Sequence, residues 1–133
     1  MKLTIMTPSK QVFQGEMSEV YLPGFKGQFG ILTGHAQMIS KLCVGICRYR
    51  NQQGLESKLL LGKGVAWVFE NEIRVLTDMV EHKRNINEQE TKANLAQIDK
   101  KIVSSDTTSQ EKENLLEEKT LLETRLDLIS GDK

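Results

Sequence analysis

Up to about residue 84 the apolar positions fall in short alternating runs broken by glycine: "LTIMT", "EVYLPG", "GICRYRN", "LESKLLLG", "VAWVFEN" and "EIRVLTD". A period of two places alternate side chains on opposite faces of a strand. In "VAWVFE", Val65, Trp67 and Phe69 share one face while Ala66, Val68 and Glu70 share the other. A tight turn at Asn71 and Glu72 then returns the chain with Ile73 and Val75 together, which predicts a hairpin. Many short strands with little helical pattern between them predict a small antiparallel β-sandwich, or flattened barrel, because one sheet could not cover both apolar faces.

Beyond Asn87 the period changes. There is no glycine until Gly131 and no proline at all. Asn87 with Glu90 three later forms a capping-box pattern, and Leu95, Ile98 and Ile102 recur at helical spacing, predicting a helix over 88–103. "SSDTTSQ" interrupts it. Thr108 with Glu111 offers a second box, and Leu115, Leu122, Leu126 and Ile129 mark one face of a helix over 109–129. Two helices joined by a few polar residues fold back as an antiparallel hairpin. The expected organisation is therefore a sandwich over 1–84 and a helical hairpin over 85–133. The narrow stripes predict a weakly held, mobile hairpin.

Composition narrows the partners. Lys plus Arg and Asp plus Glu number 18 each, so no global field draws in nucleic acid or anionic lipid. The charge is nevertheless divided: residues 1–84 carry 11 basic and 7 acidic side chains, and residues 85–133 carry 7 and 11. No stretch approaches the roughly 20 apolar residues of a membrane span, so direct insertion is not expected. The N-terminus lacks the anatomy of a signal peptide. Cys43 and Cys47, four apart, match no common zinc or redox spacing and read as buried reduced thiols. His35 and His82 have no second ligand at metal spacing. "GKG" at Gly62–Gly64 lacks the rest of a P-loop and reads as a bend between strands, and no nucleophile-elbow motif occurs. These absences predict a chain that is not an enzyme and holds no metal or cofactor. Composition alone also suits an independent sandwich that binds adaptors through its helical pair.

One stretch does not fit the strand pattern. "PGFKGQFGILTGHAQMI", Pro23 to Ile39, crowds Gly24, Gly27, Gly30 and Gly34 between ordinary runs. The spacing is not that of a dinucleotide-binding loop, and the glycines read as turn residues that present the chain to a partner.

With its flanks, "LPGFKGQFGILTGHAQMIS" resembles the signature of the epsilon subunit of F-type ATP synthases, L-P-G, two residues, G, x, F/L-G, then I/L-L-P-G-H-A-P. "VGICRYR" and "LLGKGVAWVFENEIRVLTDMVE" are similar to later strands of that family, so the likeness covers nearly the whole chain. It implies a non-catalytic rotor subunit of the central stalk of a proton- or sodium-translocating synthase. In that family the sandwich binds the gamma subunit and rests on the polar loops of the c-ring. By motif position the resemblance assigns Gly24, Gly27, Gln28, Phe29, Gly30 and His35 to that interface, with Gln28 toward the ring and His35 toward gamma. It implies a hairpin that reaches the beta and alpha subunits and restrains ATP hydrolysis, with Lys100, Lys101, Lys119 and Arg125 as contacts. It implies a position peripheral to the cytoplasmic face of a bacterial inner membrane, or to the stromal face of a thylakoid. Thr33 and Gln37 replace the two prolines of the family motif. "INEQET" at Ile86–Thr91 replaces the I/L-D-x-x-R-A of ATP-binding members, which argues against a nucleotide cofactor.

Overall fold

A computed structural model describes residues 1–32, 34, 37–103 and 109–130. The chain divides into two compact units, Met1–His82 and Lys83–Lys133. The first is built of strands β1 (Lys2–Thr7), β2 (Lys10–Gly24), β3 (Gly27–Leu32), β4 (Met38–Leu42), β5 (Gly45–Asn51), β6 (Glu56–Leu61), β7 (Gly64–Phe69), β8 (Glu72–Thr77) and β9 (Val80–Glu81).

The strand order is β1-β8-β7-β4-β2-β5-β6-β9, with β3 added to β2 and β1 also paired to β2. β2 is the strand that makes this a sandwich. Its first part lies along β1, its middle along β5 and its last six residues along β3, and the final one, Gly24, also meets Leu42 of β4. A register shift between Met17 and Glu19 lets it bend from one layer to the other, as β-bulges do. At that bend the Ser18 hydroxyl donates toward the Arg50 and Asn51 carbonyls, 3.2 Å from each. Nearly all pairings are antiparallel, as the alternating runs predict, and β1 with β8 adds one parallel pair.

The core lies between the layers. Leu3 and Ile5 of β1, Val20 and Leu22 of β2, Ile31 of β3, Leu59 and Leu61 of β6, and Ile73 and Val75 of β8 are buried in one cluster. In β7 it is the Ala66 and Val68 face that turns inward, leaving Trp67 half-exposed. The β7–β8 turn sits one residue earlier than the sequence suggests. Glu70 (φ 46°) and Asn71 (φ 61°) are its central residues, the left-handed pair that a tight hairpin needs. Gly62 and Lys63 connect β6 to β7, as the bend reading predicts.

The second unit has a short 3-10 turn, Lys83–Asn85, then α1 (Glu88–Ile102) and α2 (Ser109–Ser130). Asn87 caps α1 by accepting the Glu90 N–H at 2.9 Å. Ile98 and Leu122 are buried on the facing stripes, and Lys119 of α2 meets Asp99 of α1 at 2.8 Å. Leu128 is also buried, in place of the expected Leu126 and Ile129, which are half-buried. The sequence stripe misses it because the leucines of α2 form two adjacent rows. The proposed Thr108 cap lies outside the described residues.

Candidate partner interface

The glycine-rich stretch is not only a turn. Gly27–Leu32 is a six-residue strand in register with β2, pairing Gly24 with Gly27, Leu22 with Phe29 and Tyr21 with Gly30. Two glycines in six residues hide the alternation that Phe29 and Ile31, pointing inward, would otherwise reveal.

Gly24 closes the ribbon because nothing larger fits. A β-carbon there would lie 2.7 Å from the Gly27 carbonyl oxygen and 2.7 Å from the Phe29 ring. Gly27 holds φ at +120°, a conformation side chains avoid. Between them Phe25 and Lys26 form the tip, and Phe25 is 75% exposed. The tip is tied down from behind: the Phe25 N–H donates to the Lys41 carbonyl and the Cys43 N–H to the Pro23 carbonyl, both at 3.0 Å. The Cys43 thiol lies 3.4 Å from the Gly24 carbonyl oxygen. Cys43 is thus only half-buried, whereas Cys47 is fully buried and burial pushes its thiol up to about 12.

Gly30 makes room for an aromatic. The Tyr21 ring lies where its β-carbon would be, 2.7 Å away, and the Arg48 guanidinium sits 4.8 Å from the centre of that ring. Arg48 and Arg50 continue across the sheet to Glu56 at 3.6 and 3.3 Å, and Arg50 reaches Glu19 at 3.7 Å. One outer face of the sandwich therefore carries a solvated lattice of paired charges beside the ribbon. The outer face of the β4–β7 pair carries an apolar patch bordered by charge: Ile39, 72% exposed, pairs with Trp67 beside Phe69 over a shallow hollow of about 500 Å³, and the Arg74 guanidinium lies over the Phe69 ring.

Five of the six motif residues, Gly24, Gly27, Gln28, Phe29 and Gly30, are thus gathered on one ribbon, with Gln28 exposed and Phe29 packed against the core. His35 lies outside the described residues. Sequence reasoning passed over Phe25, Tyr21 and Arg48; the cross-strand pairing that joins the last two has no signature in either segment alone. The four basic residues assigned to the hairpin are spread over both helices. Lys100 and Lys101 are exposed at the end of α1, and Arg125 is half-buried in α2. Lys119 is occupied by Asp99, and that hydrogen bond and charge hold its ammonium above the usual lysine range. Among the described residues no three His, Cys, Asp or Glu side chains gather as metal ligands, and no helix is long and apolar enough to cross a membrane.

Residues 1–83 match the family described as "ATP synthase, Delta/Epsilon chain, beta-sandwich domain". The chain belongs to the ATP synthase delta/epsilon family. An ATP synthase epsilon chain from Gloeobacter violaceus is 37% identical over 123 residues, covering 92% of this chain and 89% of that relative. One from Prochlorococcus marinus (strain MIT 9301) is 33% identical over 126 residues, with 93% of each covered. A chain in the cryo-EM structure of Euglena gracilis mitochondrial ATP synthase, OSCP/F1/c-ring in rotational state 1, shares the fold with a TM-score of 0.81 at 20% identity, over 93% of this chain and 79% of that one. As an epsilon-type member of the family the chain is a non-catalytic subunit of ATP synthase, peripheral to the membrane.

Proposed function

We propose that the chain is a rotor subunit of the central stalk whose sandwich joins the gamma subunit to the polar loops of the c-ring. The observation that carries this is the β2–β3 ribbon: family-signature residues Gly24 to Gly30 form a backed, closely packed projection that ends in an exposed aromatic. A projection of this kind suits a load-bearing contact, because its shape is set by backbone packing and not by mobile side chains. By motif position Gln28 and its neighbours are assigned to the ring and His35 to gamma. The apolar outer face at Ile39 and Trp67 supports a second, larger protein contact on the same sandwich, since monomers seldom leave such patches open.

The division into domains follows the same reading. The sandwich is the gamma- and ring-binding part, and the helical pair is the regulatory part that restrains ATP hydrolysis at the beta and alpha subunits through Lys100, Lys101, Lys119 and Arg125. The complex sits on the cytoplasmic face of a bacterial inner membrane, or the stromal face of a thylakoid. Asn87 supports the absence of a nucleotide role at the start of α1, since its side chain is spent on the helix cap.

The test is co-expression with the gamma subunit of the same organism, followed by size exclusion, with residues 28–35 intact and then scrambled. Co-elution with the intact chain and its loss on scrambling are the expected results. An intact chain that elutes alone would overturn the rotor reading.

A further inference from the structure

β3 presents a six-residue strand edge that nothing described covers. Among the described residues β3 pairs only with β2. Which of its backbone groups are free follows from its neighbours. Gly24 and Gly27 bracket a two-residue turn and so form a hydrogen-bonded pair, and bonded pairs then alternate at Leu22–Phe29 and Val20–Ile31. Three features of β2 agree. Pro23, which has no N–H, falls opposite Gln28 in a non-bonded pair, and its carbonyl accepts from Cys43 on the far side. Tyr21 and Glu19 stand two and four residues from Pro23, so by the alternation of the strand their backbone groups turn to the same far side, where β5 lies. The N–H and C=O groups of Gln28, Gly30 and Leu32 therefore point out along the open edge.

Soluble proteins guard such edges with charge, proline or brevity. Other open stretches among the described residues are shorter or charged: the outer side of Lys10–Glu16 in β2 has a charge at each end, and that of Met38–Ser40 in β4 is three residues long. β9 is two residues long and ends in Glu81, the uncovered half of β6 carries Glu56 and Lys58, and β4 is fastened to β2 through Lys41 and Leu42. β3 reads Gly-Gln-Phe-Gly-Ile-Leu, with no charge and no proline, and Leu32 is 52% exposed.

We propose that the β3 edge receives an extended segment of another ATP synthase subunit as an added strand, bonded to the backbone of Gln28, Gly30 and Leu32. The inference rests on the rotor reading and deepens it by stating how the ribbon binds. Six residues give an edge of roughly 20 Å, which buries far less than the roughly 1,200 Å² a stable pair of proteins needs. A second copy joined through this edge alone would not hold. The occupant is thus a segment of a larger body that makes further contacts elsewhere. Its chemistry is an uncharged extended run with an apolar residue that meets Leu32 and a small one beside Gly30, where the Tyr21 ring already fills the space.

The test uses the full chain and ATP synthase stripped of this subunit, with amide hydrogen exchange read residue by residue. On rebinding, the amides of Gln28, Gly30 and Leu32 slow by about a hundredfold while Phe29 and Ile31, already bonded to β2, change little. Gln28→Pro, which deletes one outward N–H, weakens rebinding by about tenfold or more, and Gln28→Ala by less than about threefold. Leu32→Lys, a charge on the edge, weakens it as well and covers the case in which the proline variant misfolds; Trp67 fluorescence reports whether each sandwich is intact. Rebinding with the three amides still exchanging freely, or an equal loss with Gln28→Ala, would overturn the added strand in favour of side-chain docking. Protection that arises in the free chain by self-association would overturn the choice of occupant. Failure to rebind at all would remove the rotor reading, and this use of the edge with it.

Discussion

Replacing Gly24 with alanine tests whether the ribbon is held by backbone packing. The added methyl would sit 2.7 Å from the Gly27 carbonyl oxygen and 2.7 to 2.8 Å from two atoms of the Phe29 ring. Ordinary contacts are at least about half an ångström longer, so something must give. The carbonyl belongs to the pair that closes the turn, and Phe29 is packed on the core. Opening that pair costs about 0.5–1.5 kcal/mol for each hydrogen bond lost. Lifting a half-buried phenylalanine costs about 1 kcal/mol more. The gain from a less flexible unfolded chain, about 0.4–1 kcal/mol, offsets part of this. The expected net loss is about 2 kcal/mol, which for a unit of this size lowers the melting temperature by roughly 8–16 °C. Trp67 is the only tryptophan and lies in β7, so its fluorescence in a urea titration reports the sandwich alone. Gly30→Ala is the internal control. It meets only the edge of the Tyr21 ring, which can swing outward at the expense of the Arg48 stacking, worth about 0.5–1 kcal/mol at an exposed site. If Gly24→Ala proves no worse than Gly30→Ala, the ribbon is not closed by the contacts described.

The two cysteines should behave differently. A thiol reagent modifies Cys43 in the native chain and reaches Cys47 only on unfolding, so two equally fast reactions would contradict the packing around β5. The pH dependence has a definite sign. Below about pH 9 both states keep the Cys47 proton, but between about 9 and 12 the unfolded chain releases it and the folded chain does not. Stability therefore falls across that window by about 1 kcal/mol per pH unit. Cys47→Ala removes part of the slope, and the upward shift of Tyr49 that comes from burial, its larger cause, keeps the rest. At the β7–β8 turn, Glu70→Asn places a residue that tolerates the left-handed conformation where glutamate does not, and should stabilise the sandwich by about 0.5 kcal/mol in the same urea titration. A loss would mean that the glutamate side chain makes a contact that outweighs the backbone strain.

What could be read in advance depended on the reach of each interaction. The β7–β8 hairpin was legible because Val68, Ile73 and Val75 are close in the chain and alternate cleanly. The α1 cap was legible because Asn87 and Glu90 are three residues apart. β3 looks like a turn in the sequence, because the apolar signal of a strand comes from side chains and two of its six residues have none. The stacking of Gly30, Tyr21 and Arg48 joins three strands, and no local pattern encodes it. The resemblance assigns Lys119 to a partner, and nothing in the sequence of α2 shows that Asp99 of the other helix takes it.

The two units differ in what holds them together, and that difference bears on how the subunit works. The sandwich closes one cluster fed by eight strands, with side chains such as Leu3, Ile5, Leu22 and Ile73 removed from water altogether. Fully burying each of these is worth about 1.5–3 kcal/mol, and losing one strand would expose several at once, so the unit unfolds as a whole or not at all. In the helical unit fewer described side chains are buried: Thr91, Ile98, Leu122 and Leu128, flanked by half-buried Leu95, Ile102 and Leu115, and the Lys119–Asp99 ion pair lies where salt screens it. A part that transmits torque must not yield under load, and a part that switches must exchange one set of contacts for another of similar strength. The packing of the sandwich meets the first requirement and the thinner packing of the helical pair meets the second, and this contrast supports the proposal that the ribbon carries the load and the helices the regulation.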